Sequence, residues 1–195
     1  FEQLILGLES KKFKDIPDPR RASGSYYTPK FIVAFMVKEA LMAYVQEAFS
    51  DMPRGDLKRL IYDLTTDHLS ATQLEHIRDR LQRVKVVDPA VGSGAFPVGL
   101  LLKLVEIIEA IDRCVAAERL ADPAYRYRLK RDLIERCIYG VDLQERAVQL
   151  SELRLWLSLL VEVPAPEPLP NLDLHIMTGD SLVSKIGGVL DFNLE

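Results

Sequence analysis

Apolar positions in this chain alternate between helical spacing and short continuous runs. Phe31, Phe35, Val37, Ala40, Leu41, Tyr44 and Val45 recur near a 3.6-residue period and predict an amphipathic helix. Thr28-Pro29 just ahead of it predicts the start, with Thr28 as N-cap and Pro29 at the first helical position. Residues 50–83 read as a turn at Met52-Pro53-Arg54-Gly55 followed by one or two polar helices. An apolar strand is expected at 84–88. A helix at 96–118 follows, with Val98, Leu101, Leu102, Val105, Ile108, Ala110 and Ile111 at apolar positions. A basic helix at 123–136 precedes a second strand, Cys137 to Leu143. The helix at 144–161 carries Ala147, Leu150, Leu153, Leu157 and Leu160 on one face. The proline-rich stretch 163–170 reads as a connection, because proline has no amide hydrogen to give a helix or central strand. A third strand is expected at 172–177.

Strands alternating with helices predict an α/β fold with a parallel sheet. If the three strands pair side by side, the strand at 84–88 should be central in a complete domain, with one edge unpartnered in this chain. The chain divides into an extension at 1–22 that ends in the linker Asp15-Ile16-Pro17-Asp18-Pro19-Arg20-Arg21, a helical segment at 23–83, and an α/β part at 84–195.

Composition narrows the class. The chain has 195 residues, 48% apolar and 28% charged, a soluble globular profile. No apolar run reaches the roughly 18 residues a bilayer span needs, so no membrane role is expected. Phe1-Glu2-Gln3 has neither an initiator Met nor a basic leader, and reads as a cut within a longer protein. Cys114 and Cys137 form no C-x-x-C and fit reduced thiols in a core, hence a cytoplasmic setting. His68, His76 and His175 lack zinc-ligand spacing, so no metal is expected. The net charge of −4 does not suggest a nucleic-acid grip for the chain as a whole. Two basic clusters stand out, Arg78/Arg80/Arg83/Lys85 and Arg126/Arg128/Lys130/Arg131/Arg136. Both read as solvated faces.

The chemistry is concentrated at three strand ends. Val86-Val87-Asp88-Pro89-Ala90-Val91-Gly92-Ser93-Gly94-Ala95-Phe96 reads as a strand, a terminal carboxylate, a glycine turn and a helix start. Such a turn sits at the carboxyl edge of a parallel sheet, where open α/β folds bind ligands. The glycines allow positive φ and close approach of backbone to ligand. The dinucleotide fingerprint fails because Pro97 holds the third glycine position, and the phosphate-loop pattern fails for want of Gly-Lys-Ser/Thr. The nucleophile elbow fails because Val91 and Ala95 flank Gly92-Ser93-Gly94. The turn therefore suits a ligand without a pyrophosphate. Ile138-Tyr139-Gly140-Val141-Asp142-Leu143 ends the second strand in another carboxylate, able to accept both hydroxyls of a ribose or to cap the next helix. It falls 48 residues after Gly94, against about 20 in the usual unit, so an extra helix is inserted. Asp180, in Met177-Thr178-Gly179-Asp180-Ser181-Leu182, can accept an adenine amine while Leu182 packs on the ring, although Gly-Asp-Ser is also a common turn. Three acids at three strand ends describe a pocket for an adenosine with an amino-acid-like tail.

Together with Gly24-Ser25-Tyr26-Tyr27-Thr28-Pro29, these motifs resemble the amino-terminal part of N6-adenine DNA methyltransferases with the gamma order of motifs. The helix Ala147-Val148-Gln149-Leu150-Ser151-Glu152-Leu153-Arg154-Leu155-Trp156-Leu157 resembles that of type IIG restriction–methylation enzymes and related phage-defence methylases. The resemblance covers residues 23–182. It implies a Rossmann-like methyltransferase fold, here a truncated parallel sheet behind an N-terminal helical segment, and S-adenosylmethionine as cofactor. By that pattern Tyr27, Thr28 and Pro29 close over the methionine end. Asp88, Pro89 and the Gly92/Gly94 backbone hold the amino-acid part, with Phe96 nearby. Asp142 takes the ribose hydroxyls beside Leu143, and Asp180 with Leu182 takes the adenine. Double-stranded DNA is the implied partner of the full-length protein.

The family's catalytic run, Asn/Asp-Pro-Pro-Tyr/Phe/Trp, holds and stacks on a flipped adenine. No Pro-Pro occurs in this chain, so no catalytic residue is assigned and the chain alone is expected to be inactive. An RNA or protein methyltransferase with the same cofactor half, or a non-catalytic scaffold, are the competing readings.

Overall fold

The computed structural model describes residues 28–162 and 169–182, with the backbone of 185–186 and 190–191. Tyr27, the extension 1–22 and most of the proline-rich connection lie outside the described residues. Three helices come first: α1 (Lys30–Ala48), α2 (Arg54–Asp63) and α3 (Ala71–Leu81). Then follow β1 (Val86–Asp88), α4 (Ala95–Val115), a 3-10 turn (Ala117–Ala121), α5 (Tyr125–Cys137), β2 (Ile138–Asp142), α6 (Glu145–Leu160) and β3 (Ile176–Thr178). Two short strands, β4 (Lys185–Ile186) and β5 (Leu190–Asp191), pair antiparallel.

The main sheet has the order β1-β2-β3, all parallel. Among the described residues β2 is thus central and β1 has a partner on one edge only. The inserted helix that the late position of Asp142 requires is α5. Side chains alternate across a strand. One face of the sheet (Val86, Ile138, Gly140, Ile176) joins the core under α4, α5 and α6, whereas Val87 and Met177 on the other are 62% and 46% exposed.

Several expectations shift. β1 begins at Val86 rather than 84. β3 runs over 176–178 rather than 172–177, because the Asn171 side chain accepts the Asp173 amide and the His175 amide bonds the Leu172 carbonyl, making 172–175 a turn. Thr28 is not the N-cap of α1. Pro29 is, with ψ 142°, and its carbonyl takes the Ile32 and Val33 amides. Sequence reading also passed over the start of α3, a reciprocal cap between Ser70 and Gln73.

The helix faces shift as well. On α1 the core takes Val33, Val37, Leu41, Met42 and Val45, while Phe31 and Phe35 are exposed. On α4 Leu102 faces outward. On α6 the core takes Val148, Ser151, Leu155 and Leu159, leaving the expected stripe of Leu153, Leu157 and Leu160 half exposed. Cys137 is buried, and burial pushes its thiol up to about 11. Cys114, expected in the core, is exposed beside Thr66.

The basic clusters are not simply solvated. Asp112, fully buried on α4, accepts from Arg78 Nε at 2.7 Å, Arg119 Nη1 at 3.1 Å and Tyr125 Oη at 2.6 Å, which joins α3, α4 and α5. Lys130 is 2% exposed and binds Glu162 and the Ser158 carbonyl, locking α5 to the end of α6. Arg126 pairs with Glu109 at 2.7 Å, Arg128 pairs with Asp122, and Arg131 lies over the Tyr127 ring.

Asp112→Ala strands the buried end of Arg78 and should lower the unfolding free energy by roughly 3–5 kcal/mol. Arg119→Ala, which removes a half-exposed partner, should cost about 1 kcal/mol or less. Urea denaturation of the two variants checks the contrast, and equal losses would refute it.

Candidate functional site

The glycine turn after β1 is fixed by β2. Asp142 closes β2 with its carboxylate turned toward the turn, where Oδ2 accepts the Gly92 amide at 2.8 Å. Its Oδ1 accepts the Gln144 amide at 2.9 Å, which starts α6. The same carboxylate thus ties the turn to the chain entering α6, but it is not the helix cap the sequence offered: the N-cap is Gln144, and no side chain caps the first turn. The Val91 amide bonds the Val141 carbonyl at 2.9 Å, and the Gly94 amide bonds the Val91 carbonyl at 2.9 Å. The Asp142 carbonyl in turn takes the Gly179 amide at 2.9 Å, which brings the Asp180 loop to the same edge.

Two glycines are required by conformation. Gly92 has φ +51° and Gly94 has φ +81°, the latter as N-cap of α4. Around Gly92 there is room. At Gly94 a Cβ would lie 2.6 Å from Ser151 Oγ and 3.0 Å from its Cα, so α6 is seated directly under the turn.

Asp88 stands beside this turn. Its Oδ1 accepts the Ala90 amide at 3.1 Å, while its Oδ2 is buried with no partner. Burial raises its pKa, the Ala90 bond opposes that, and the neighbouring Asp142 charge adds to the rise. A cationic or hydrogen-donating ligand group would satisfy this orphaned oxygen. Pro89 is exposed in the turn, and Phe96 packs against the core at the first turn of α4.

Asp180 is exposed, and its Oδ1 accepts the Leu182 amide at 2.9 Å. Leu182 and Leu143 are 91% and 70% exposed at the same edge, two apolar side chains open to solvent beside Asp142 and Asp180. Thr28 and Pro29 precede α1, whose Val33 packs on Gly99 in the first turns of α4. At the other end of α1, Tyr44 Oη reaches the Arg80 carbonyl of α3 at 3.5 Å. No bond joins Thr28 to the acids, and Tyr27 lies outside the described residues.

Sequence reasoning missed Arg154. From α6 its Nη1 donates to the Ser93 carbonyl at 2.8 Å and lies 3.4 Å from Ser93 Oγ. No signal within the helix marks it, since Ser151 and Arg154 fall off the apolar stripe that the spacing of α6 predicts. Away from the site, a groove of about 390 Å³ is lined by Ala48, Phe49, His76, Asp79, Arg80 and Arg83. It holds none of the sequence-expected residues. No group of three or more possible metal ligands occurs among the described residues, and none of their helices is long and apolar enough to cross a membrane.

Residues 64–162 match the family described as MmeI, DNA-methyltransferase domain. The chain belongs to this DNA-methyltransferase family. The match spans Asp88, both glycines, Asp142 and α6, with Thr28 and Asp180 outside it. A protein of Methanocaldococcus jannaschii, provisionally named as a type II restriction enzyme and methyltransferase, is 31% identical over 100% of this chain. The adenine-specific methyltransferase BrxX of Escherichia coli O9:H4 is 26% identical over 72% of it. The chain spans 16% and 11% of those two proteins. The family and these names support the sequence reading of an adenine DNA methyltransferase of restriction–modification or phage-defence type. The α/β architecture with its small parallel sheet is compatible with a methyltransferase-like fold.

Two predictions rest on this geometry. Gly94→Ala combines positive φ with a clash into Ser151 and should cost at least ~2 kcal/mol, against about 1 kcal/mol for Gly92→Ala, where only the backbone objects. Thermal unfolding of both variants checks the order. Because the folded-state pKa of Asp88 is raised, the folded chain holds this proton more tightly than the unfolded chain. Its contribution to stability is present at low pH and is lost as pH rises from the ordinary carboxylate range through the raised value. Asp88→Asn should therefore make the ligand-free chain more stable at pH 7 and flatten that acid-side loss. A variant less stable than wild type at pH 7 would contradict this.

Proposed function

We propose that this chain is the S-adenosylmethionine-binding part of a DNA adenine-N6 methyltransferase of a restriction–modification or phage-defence system. The observation that carries the reading is the orphaned, buried Asp88 Oδ2 beside a glycine turn stitched to Asp142. An anion held in a partly dry site next to a close-approach backbone suits the ammonium of an amino acid. The positive end of α4, opening at Gly94, suits its carboxylate.

In this reading Asp88 takes the ammonium and the Gly92–Gly94 backbone lies along the amino-acid arm. Pro89 and Phe96 flank that arm. Asp142 takes the ribose hydroxyls with the lone pairs its two backbone bonds leave free, since a carboxylate offers about four acceptor sites. Asp180 accepts the adenine amine, and Leu143 and Leu182 cover the ring. Tyr27, Thr28 and Pro29 close over the methionine end. The cofactor supplies the methyl group; the residues of this chain bind and orient it. Double-stranded DNA is the substrate of the whole protein, which works in the cytoplasm. The sequence contains no Asn-Pro-Pro-Tyr-like run to hold the target amine, so the chain alone does not transfer methyl groups.

The test is calorimetric titration of the chain with S-adenosylmethionine and S-adenosylhomocysteine, with NAD as control. Saturable binding of the first two but not the third is expected. Asp142→Ala should weaken it at least ~10-fold, the equivalent of losing one or more charge-assisted hydrogen bonds. A folded chain that binds neither adenosyl ligand would overturn the reading in favour of a scaffold.

A further inference from the structure

We infer that Arg154, seated on α6 and touching no ligand-facing acid, is the positioning residue for the amino-acid arm of the pocket. The inference rests on the cofactor reading above and adds to it the device that shapes the turn.

The peptide linking Ser93 to Gly94 is held on several sides. Its carbonyl accepts Arg154 Nη1 at 2.8 Å, and its amide reaches back to the Val91 carbonyl at 2.9 Å. Beneath it lies Ser151, 0% exposed and one helical turn before Arg154, filling the space a Gly94 side chain would need. Gly92, on the other side of Ser93, is hooked by Asp142. Two clamps therefore act on one turn. Asp142 fixes the half that faces the ribose side. Arg154 fixes the half that opens into α4, where the amino-acid arm would lie.

The charge of Arg154 matters as well as its hydrogen bonds. Among the described residues no carboxylate forms an ion pair with it. A half-buried cation without an anion is unfavourable unless something else offsets it. Here the Ser93 carbonyl offsets part. The remaining positive potential adds to that of the α4 N-terminus under the turn, and both favour a carboxylate on the ligand side. This predicts selectivity for adenosyl ligands with an intact amino-acid tail over those lacking it.

The experiment compares Arg154→Met and Arg154→Lys with wild type in two measurements. The first is affinity for S-adenosylhomocysteine and for methylthioadenosine, which has the same nucleoside but no amino-acid arm. Arg154→Met should weaken the former at least ~10-fold, the scale of one hydrogen bond to a charged group. It should leave the latter within about twofold, because the Asp142 clamp is intact. Arg154→Lys, which keeps the charge and can still donate to one carbonyl, should recover part of the loss. The second measurement is amide hydrogen exchange without ligand. Residues 91–96 should exchange faster in Arg154→Met while the middle of α4 is unchanged. Parallel loss of both ligands with a lowered melting temperature would mean a merely structural role and overturn the proposal, as would unchanged exchange in the turn. If wild type binds neither ligand, the cofactor reading fails first. The exchange result then decides alone whether Arg154 governs the turn.

Discussion

The bond from the Gly92 amide to the Asp142 carboxylate is the constraint on which the edge of this sheet depends. It runs from the turn after β1 to the end of β2, across 50 residues of sequence. Without it the Gly92 half of the turn, at positive φ, would lose the bond that fixes it to β2, and only the Arg154 clamp on Ser93 and the turn's own backbone bonds would remain. With it the turn, the start of α6 and the Asp180 loop are one unit, since the same residue bonds Gly92, Gln144 and Gly179. An ionised acceptor is well suited to this work, because hydrogen bonds to charge are about twice as strong as neutral ones. The edge is therefore organised by bonds within the chain itself, an arrangement that would lower the ordering entropy opposing a ligand in the proposed site.

Gly140 shows how far this constraint reaches into the packing. A Cβ there would lie 2.8 Å from Val91 Cγ2, so β2 must be bare at the point where the turn folds back onto it. The Tyr139-Gly140-Val141-Asp142 run thus combines a residue that admits the turn and a residue that holds it. Gly99 does the same work one layer out. Its missing side chain lets Val33 of α1 close on α4, with Val33 Cγ1 within 2.5 Å of the Cβ position. That contact carries the Thr28–Pro29 end of α1 across the helix that begins at the site.

The strand ends, the turn and the alternation of elements were legible in the sequence because each has a local cause. Glycines mark positive φ, acids fall at strand ends, and prolines stop elements. What was not legible was direction around a helix. In α6, Leu150, Leu153, Leu157 and Leu160 make a better apolar stripe than the face that is buried, Val148, Ser151, Leu155 and Leu159. The buried face includes a serine because the turn must approach the helix at Gly94, and only a small residue fits there. A tertiary contact thus overrode hydrophobic spacing. The same holds for Lys130, whose charge argued for solvent until Glu162 and the Ser158 carbonyl supplied partners inside. Arg154 was hidden for a related reason. Its meaning lies in a bond to Ser93, which no spacing within its own helix reveals.

The buried and half-buried charges among the described residues fall into two populations, those that are paired and those that are not. Asp112, Lys130, Arg78 and Arg126 are matched donor to acceptor, and their bonds close the core between α3, α4, α5 and α6. At the sheet edge the matching stops. Asp88 has a buried oxygen without a donor and a like charge next to it, and among the described residues Arg154 has no carboxylate paired with it. Each of these costs stability that the fold could recover with a neutral side chain. A structure that satisfies its buried charges elsewhere and leaves two of opposite sign unmatched on the two sides of one turn is poised for a ligand with complementary ends. An amino-acid group, cationic at nitrogen and anionic at its carboxylate, meets that demand. In the proposed reading it is therefore the unmatched charges, rather than the glycine pattern alone, that would distinguish an adenosyl amino acid from other ligands with the same nucleoside.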